Sequence, residues 1–452
     1  MKMEEKNVWH SRGREEIEDF AKDYIDFMRV AKTERLTVRV VEGQLKRAGF
    51  IPLEEFAGNP LDMAVYQVNR KKSLAVFRIV DDLKKGMTLI VAHIDSPRLD
   101  LKPKPLVEDE RIALFKTHYY GGVKKYHWLN IPLEVHGVVF RADGEEVEIH
   151  IGDKPEDPVF TIPDLLPHLD KEDQKISEKF QAEQLNLIVG TIPLSGEEKE
   201  AVKMNVLKIL QERYGINEED FVSAEIEVVP AIPPREVGLD KSLVGAYGQD
   251  DRVCAYTALR AILEAQNLPR SVGIILLDKE EIGSDGNTGA KARFYLKAIR
   301  SILKLQGVKD SEYALDEVLE KTAVISADVC AGVDPNYKDV HDLHNAPRLG
   351  YGVALVKYTG SRGKYSTNDA HAEFVGRIRK VLNENGVIWQ VATFGKVDRG
   401  GAGTVAKYFA EKGSDVVDMG PALLGMHSPF EIVSKADLYE TYRAYKVLLE
   451  NL

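Results

Sequence analysis

Acidic residues and histidines recur in this chain at one kind of place, just after an apolar run. His93 and Asp95 close the run MTLIVAHID (87–95), and Asp250 and Asp251 stand together in GQDDRV. Glu280 and Glu281 follow SVGIILLDK (271–279) and lead into Gly283-Ser284-Asp285-Gly286. Asp328 ends TAVISAD (322–328), and His427 lies in LLGMHSPFE (423–431), after DVVDMG. Singly, each has an ordinary explanation as a turn former or a satisfied polar group. Asp250-Asp251 alone would suit the N-terminus of a helix, where acids meet the favourable end of the dipole. Together they point elsewhere, because a carboxylate pair beside a buried strand is costly unless positive charge sits between the acids. Imidazole and carboxylate donors suit Zn²⁺, with Co²⁺ and Mn²⁺ sharing such ligands, and a bridging carboxylate holds two ions about 3.5–4 Å apart.

Two histidines and three or four acids supply one imidazole and one terminal carboxylate per ion, with an aspartate shared. Adjacent residues in extended or turning backbone point different ways. One of Glu280 and Glu281 can therefore bind metal while the other acts as general base on a bridging water. Asp95, two residues past His93 on the same strand, faces the same side and is placed to orient that imidazole.

The elements that must position these residues read as an α/β sheet. Strands are expected over 73–80, 87–94, 271–278, 322–329, 350–358, 387–395 and 415–420, alternating with helices over 250–266, 369–384, 402–412 and 435–452. In open sheets of this kind ligands bind at the carboxyl ends of strands. Two further helices are expected near the N-terminus. One, over 15–32, carries Ile17, Phe20, Tyr24, Ile25 and Met28 on one face; the second starts at an N-cap Thr37 and ends near Gly49. Between about 101 and 235 the pattern changes to short alternating runs. A hairpin is expected over 133–153, turning at Ala142-Asp143-Gly144, with a strand over 222–230. A helix over 195–214 is expected to be capped by Ser195, with Glu198 three residues on. The reading is a catalytic domain from 1–100 and 236–452, interrupted by a mainly β insert over 101–235.

Length and composition exclude other classes. The 452 residues, 44% hydrophobic and 29% charged, are those of a folded globular chain. The net charge of −11 argues against a dedicated nucleic-acid or anionic-membrane binder. No apolar run approaches the roughly 20 residues of a membrane helix, and the start MKMEEKNVWHSRGREE lacks a signal-peptide core. With only Cys254 and Cys330, a disulfide framework is out and a cytoplasmic home is expected.

The runs AHIDSPRLD (92–100), GQDD (248–251), DKEEIGS (278–284), ISADV (325–329) and GMHSP (425–429) together resemble the aspartyl aminopeptidase and vacuolar aminopeptidase I family of di-zinc exopeptidases. They come in that family's order and span the catalytic portion. The resemblance implies a metalloaminopeptidase that removes N-terminal amino acids from peptides. It implies metal ligands His93, Asp250 (shared), Glu281, Asp328 and His427, with Glu280 as base and Asp95 as orienting acid. It also implies an α/β/α catalytic domain with a mixed central sheet, an insert that makes dimer contacts, and a homo-oligomer built up to a tetrahedral dodecamer. In PHLD (167–170), His168 corresponds to a residue that reaches a neighbouring subunit's site; taken alone it reads as a surface-loop histidine. Lys364 in KYSTN (364–368) falls where a lysine would pair with an acidic substrate side chain; taken alone it is a solvated lysine. In CAGVDPNYKD (330–339), Asp334 replaces a histidine of the aspartyl-type pattern, and its charge would disfavour acidic substrates. Two rival readings share the residues: a di-metal carboxypeptidase or deacylase gripping a carboxylate with Arg399, and a non-catalytic, metal-stabilised shell.

Overall fold

The computed structural model describes residues 6–170, 174–360 and 363–452. By its internal contacts the chain divides into two units, one of 1–95, 234–426 and 430–452, the other of 96–233 and 427–429.

The first unit is built on a nine-stranded mixed sheet. Its strands are β1 (Ile51–Pro52), β2 (Met63–Asn69), β3 (Ser73–Ile79), β4 (Thr88–His93), β5 (Val272–Leu277), β6 (Ala323–Ser326), β7 (Val353–Val356), β8 (Trp389–Ala392) and β9 (Asp415–Gly420). Across the sheet they run β1-β2-β3-β5-β4-β6-β9-β7-β8. The four central strands β5, β4, β6 and β9 are mutually parallel. Strands buried on both faces have no polar side to show, so residues 89–92 of β4 and all of β5 read as apolar runs. Alternation then sorts them. Ile90, Ala92, Ile274 and Leu276 pack with Phe20, Tyr24, Val253 and Leu448 on one face. Leu89, Val91, Ile275 and Leu277 pack with Ile299, Ile302 and Leu315 on the other. The helices covering the first face include α1 (Arg14–Val30), α2 (Glu34–Arg47), α3 (Gln249–Glu264), α6 (Ala372–Glu384) and α7 (Lys435–Asn451); α4 (Phe294–Leu305) and α5 (Ser311–Glu320) cover the second. Neither α4 nor α5 is among the expected elements. A five-stranded sheet, in the order Arg235–Val237, Leu243–Ala246, Glu431–Ser434, Ala422–Leu424, Cys330–Ala331, completes this unit.

The second unit holds a six-stranded sheet, antiparallel throughout, formed by Glu146–Ile151, Leu133–Phe140, Ala224–Pro230, Arg98–Asp109, Ile112–Tyr120 and Asn186–Gly190 in that spatial order. The expected hairpin is present, with Gly144 at φ 85° in its turn. The helix after it differs from expectation. It spans Ala201–Tyr214, and Ser195 is not its cap. Glu108, from a distant strand, instead accepts the backbone N–H groups of Val202 and Lys203. That supplies both the missing acceptor and the negative charge a helix start favours.

Other boundaries also move. The cap of α2 is Thr33, whose hydroxyl accepts the Leu36 N–H, while Thr37 lies inside the helix and donates to the Thr33 carbonyl. The strand expected over 387–395 shortens to β8, and the helix over 402–412 to Ala406–Ala410.

Candidate metal centre

β4, β5 and β6 are parallel and adjacent, so their carboxyl ends open on one edge. His93 is the last residue of β4, paired across from Leu277 of β5. Asp95 therefore does not continue the strand; it stands in the coil beyond it. Its carboxylate still reaches His93, with Oδ1 3.3 Å from Nδ1, while its carbonyl lies 3.0 Å from the same nitrogen. With Nδ1–H committed there, Nε2 is the nitrogen left to bind a cation. Nε2 faces Asp250 Oδ1 at 3.2 Å and Glu280 Oε2 at 4.0 Å.

Asp95 has a second task that the sequence does not show. Its two oxygens accept the backbone N–H groups of Glu280 (3.1 Å) and Glu281 (3.2 Å). Those two residues sit in one short turn of helix, Glu280–Ile282, bracketed by Lys279 at φ 67° and Gly283 at φ 93°. The two neighbouring carboxylates still present oxygens within 4.8 Å of one another and of the His93 imidazole. Asp250 and Asp251 follow Gly248, another left-handed position, and are joined by a cis peptide. Asp250 turns to the His93 imidazole, whereas Asp251, fully buried, accepts the backbone N–H of His93 at 3.3 Å.

Within the first unit, among the described residues, two sets of side chains present ligand atoms within 4.8 Å of one another: His93 with Asp250 and Asp328, and His93 with Glu280 and Glu281. The electrostatics show what such a cluster lacks. Burial pushes Asp251 well above the ordinary carboxylate range, with repulsion from Asp250 adding to it. Asp328 is raised by burial and by Asp251. Burial opposes charging of His93, but its hydrogen bonds to Asp250 and Asp95 win and raise it well above an ordinary imidazole. Acids this crowded keep protons unless cations take their place. The donor set of one imidazole among carboxylates fits zinc.

The remaining expected residues are not in these sets. His427, at φ 66°, belongs by its contacts to the second unit, with Nδ1 3.0 Å from the Gly122 carbonyl. His168 is exposed in the turn 167–169. Asp334 accepts the N–H of Asn336 in its own turn. Lys364 is exposed; its ammonium is 2.6 Å from Asp369 Oδ2 and lies over the Tyr358 ring at 4.0 Å. With Lys338, Lys396 and Phe394 it lines a cavity of about 940 Å³. β7, which leads into that loop, is antiparallel to β9 and hence to β6, so its carboxyl end points away from the edge carrying Asp328. Arg399 is exposed in the turn 397–399.

The model of the aminopeptidase I zinc metalloprotease (M18) family matches residues 27–448. A probable M18 family aminopeptidase 1 from Thermotoga maritima is 76% identical over 452 residues, covering all of both chains. The crystal structure of an M18 aminopeptidase from Thermotoga maritima, 76% identical, superposes over 100% of both chains with a TM-score of 0.99. That of aminopeptidase I from Clostridium acetobutylicum, 42% identical, does so over 100% of both with 0.92. At 18% identity, the S. cerevisiae mApe1 dodecamer structure shares the fold, with a TM-score of 0.75 over 96% of this chain and 97% of its own. With His93, Asp250, Glu280, Glu281 and Asp328 gathered at one sheet edge, the chain is a metalloaminopeptidase of the M18 zinc metalloprotease family.

Proposed function

We propose that this aminopeptidase works with two zinc ions, Asp250 shared between them. His93 and Asp328 would complete one ion's ligands, and Glu281 with His427 the other's. The observation that carries this reading is the set His93, Asp250 and Asp328, ligand atoms within 4.8 Å, with Glu280 and Glu281 meeting the same imidazole. Ions held by these residues would supply Lewis-acid polarisation of a carbonyl and a lowered pKa for water. Co²⁺ or Mn²⁺ would suit the same donors.

The chain's own residues do the rest. Glu280 takes the proton of the attacking water and returns it to the leaving amine. Asp95 keeps Nδ1 of His93 protonated, so that Nε2 is free to bind, and fixes the turn that carries Glu280 and Glu281. Substrates are peptides with neutral N-terminal side chains: Lys364 is already paired with Asp369, and Asp334 adds negative charge where aspartyl-type relatives carry histidine.

The chain is a homo-oligomer in this reading, a tetrahedral dodecamer; the structure of the yeast relative is a dodecamer. Residues 101–235 supply the dimer contacts, and His168 reaches a neighbour's site. No described helix is long and apolar enough to cross a membrane, and two free, buried cysteines suit a reducing cytoplasm. The carboxypeptidase and shell readings give way to the family's activity.

The test pairs Glu280→Gln with a panel of Leu, Met, Ala, Asp, Glu and Lys p-nitroanilides, with Zn²⁺, Co²⁺ or Mn²⁺ added. Loss of a base is expected to cost about 10²–10⁴ in kcat with zinc content intact, and the wild type to favour neutral substrates. Full turnover by the variant overturns the role of Glu280, and best cleavage of Asp and Glu substrates overturns the specificity.

A further inference from the structure

The turn that carries Asp250 is held by buried polar groups that the mechanism does not use. Asp250 (ψ 105°) and Asp251 (φ −116°) open α3 with non-helical backbone, and their N–H groups, like those of any first turn, have no acceptor within the helix. The Asp250 N–H donates instead to Glu431 Oε2 at 3.0 Å. Glu431 is 1% exposed and opens the strand Glu431–Ser434, paired opposite Ala246, two residues before Gly248. Its backbone carbonyl accepts the Gln249 side-chain amide at 2.6 Å. That amide also donates to the Val244 carbonyl, and its oxygen accepts the Tyr24 hydroxyl at 3.0 Å. Arg252, fully buried, donates to the carbonyls of Gly248 and Tyr247.

A carboxylate placed this deep, near two other buried acids, is costly, and packing alone would be served by an apolar side chain. What it supplies is a charge-assisted bond to the one backbone N–H whose position sets the shared ligand. We propose that Glu431 is a positioning residue of the metal centre, its carboxylate fixing the backbone of Asp250 and its carbonyl, through Gln249, fixing the turn before it. This rests on the reading of Asp250 as the shared ligand.

The experiment challenges full-length, zinc-loaded protein with a graded chromophoric chelator, comparing wild type with Glu431→Gln, Glu431→Ala and Asp250→Asn, and records thermal unfolding of each. Removing a group that orients a ligand costs about 10- to 100-fold in metal affinity, and that loss is expected for Glu431→Ala. Glu431→Gln keeps an acceptor without the charge and is expected to fall between, about 3- to 10-fold weaker. Wild-type affinity in a folded Glu431→Ala, or a lower unfolding temperature with zinc held as tightly, overturns the proposal. If Glu431→Ala does not fold, Glu431→Gln decides: at least threefold weaker zinc supports it, and unchanged zinc overturns it. Asp250→Asn separates the two layers. If that variant holds zinc like wild type, the two-ion reading fails; if it loses zinc while both Glu431 variants keep it, only the role of Glu431 fails.

Discussion

Replacing Asp95 by asparagine tests the clamp on the catalytic turn with little change of shape. In the wild type Oδ1 takes the Glu280 N–H and faces His93 Nδ1, and Oδ2 takes the Glu281 N–H. An amide has one acceptor. If its oxygen sits in place of Oδ1, its NH₂ meets the Glu281 N–H donor to donor; if reversed, two interactions are lost. The smaller loss is one hydrogen bond to a charged group, about 1.5–3 kcal/mol, or roughly 10- to 150-fold at 1.36 kcal/mol per decade. Because the bond lost holds the Glu280–Glu281 turn, kcat should fall by that factor on Leu-p-nitroanilide, with KM changed less. Bound zinc, measured on the same preparations, should weaken but remain at saturating metal. A kcat within threefold of wild type, with zinc bound normally, would show that the turn holds its shape without Asp95 and refute the argument.

Zinc binding should release protons. His93 is raised well above its ordinary value of 6.5, so the metal-free imidazole carries at pH 7 a proton that zinc must displace; Asp328, raised by burial, shifts in the same direction, and affinity rises with pH. Calorimetry of Zn²⁺ binding in buffers of different ionisation heat should give a slope of at least one proton released per chain; a zero slope contradicts it. Asp437, which is not among the candidate ligands, accepts the N–H groups of Gly350 and Gly352, yet burial pushes its pKa up to about 8. Its unfolded value is about 3.9, so the folded chain holds a proton the unfolded chain lacks. That contribution to stability is complete below about pH 4 and lost as pH rises through about 8. Denaturation midpoints of wild type should therefore fall more steeply from pH 5 to 8.5 than those of Asp437→Asn, and parallel curves would refute the shift.

Much of the catalytic unit was legible because its signals are local. Residues 89–92 of β4 and the whole of β5 are apolar, which only a strand covered on both faces tolerates, and the polar residues after them stand out for that reason. What was lost depended on partners far along the chain. Ser195 and Glu198 have the spacing of a capping box, but Glu108 caps that helix from a strand some ninety residues earlier. The strand Arg98–Asp109 is hidden by Pro103 and Pro105, which lack N–H donors. They fall where the ladder with Ile112–Tyr120 slips register between Leu101 and Leu106, the kind of irregularity that admits proline.

The same division runs through the metal centre. Residue type and spacing name ligands because the chemistry of binding lives in side chains. Asp95 was legible as a partner of His93 for that reason, since imidazole and carboxylate are both visible as letters. Its hold on the Glu280 and Glu281 amides was not, nor was that of Glu431 on the Asp250 amide. Every residue but proline carries the same N–H, and only the fold decides which are left without a partner. Here they are those of the turns around Lys279, Gly283 and Gly248, where left-handed backbone breaks the regular ladders. Each such break lies beside a carboxylate of the cluster around His93, and each leaves amides that a buried acid then satisfies. The acids that bind and the acids that hold are thus two consequences of one backbone requirement, and a substitution of either kind should reach the bound zinc.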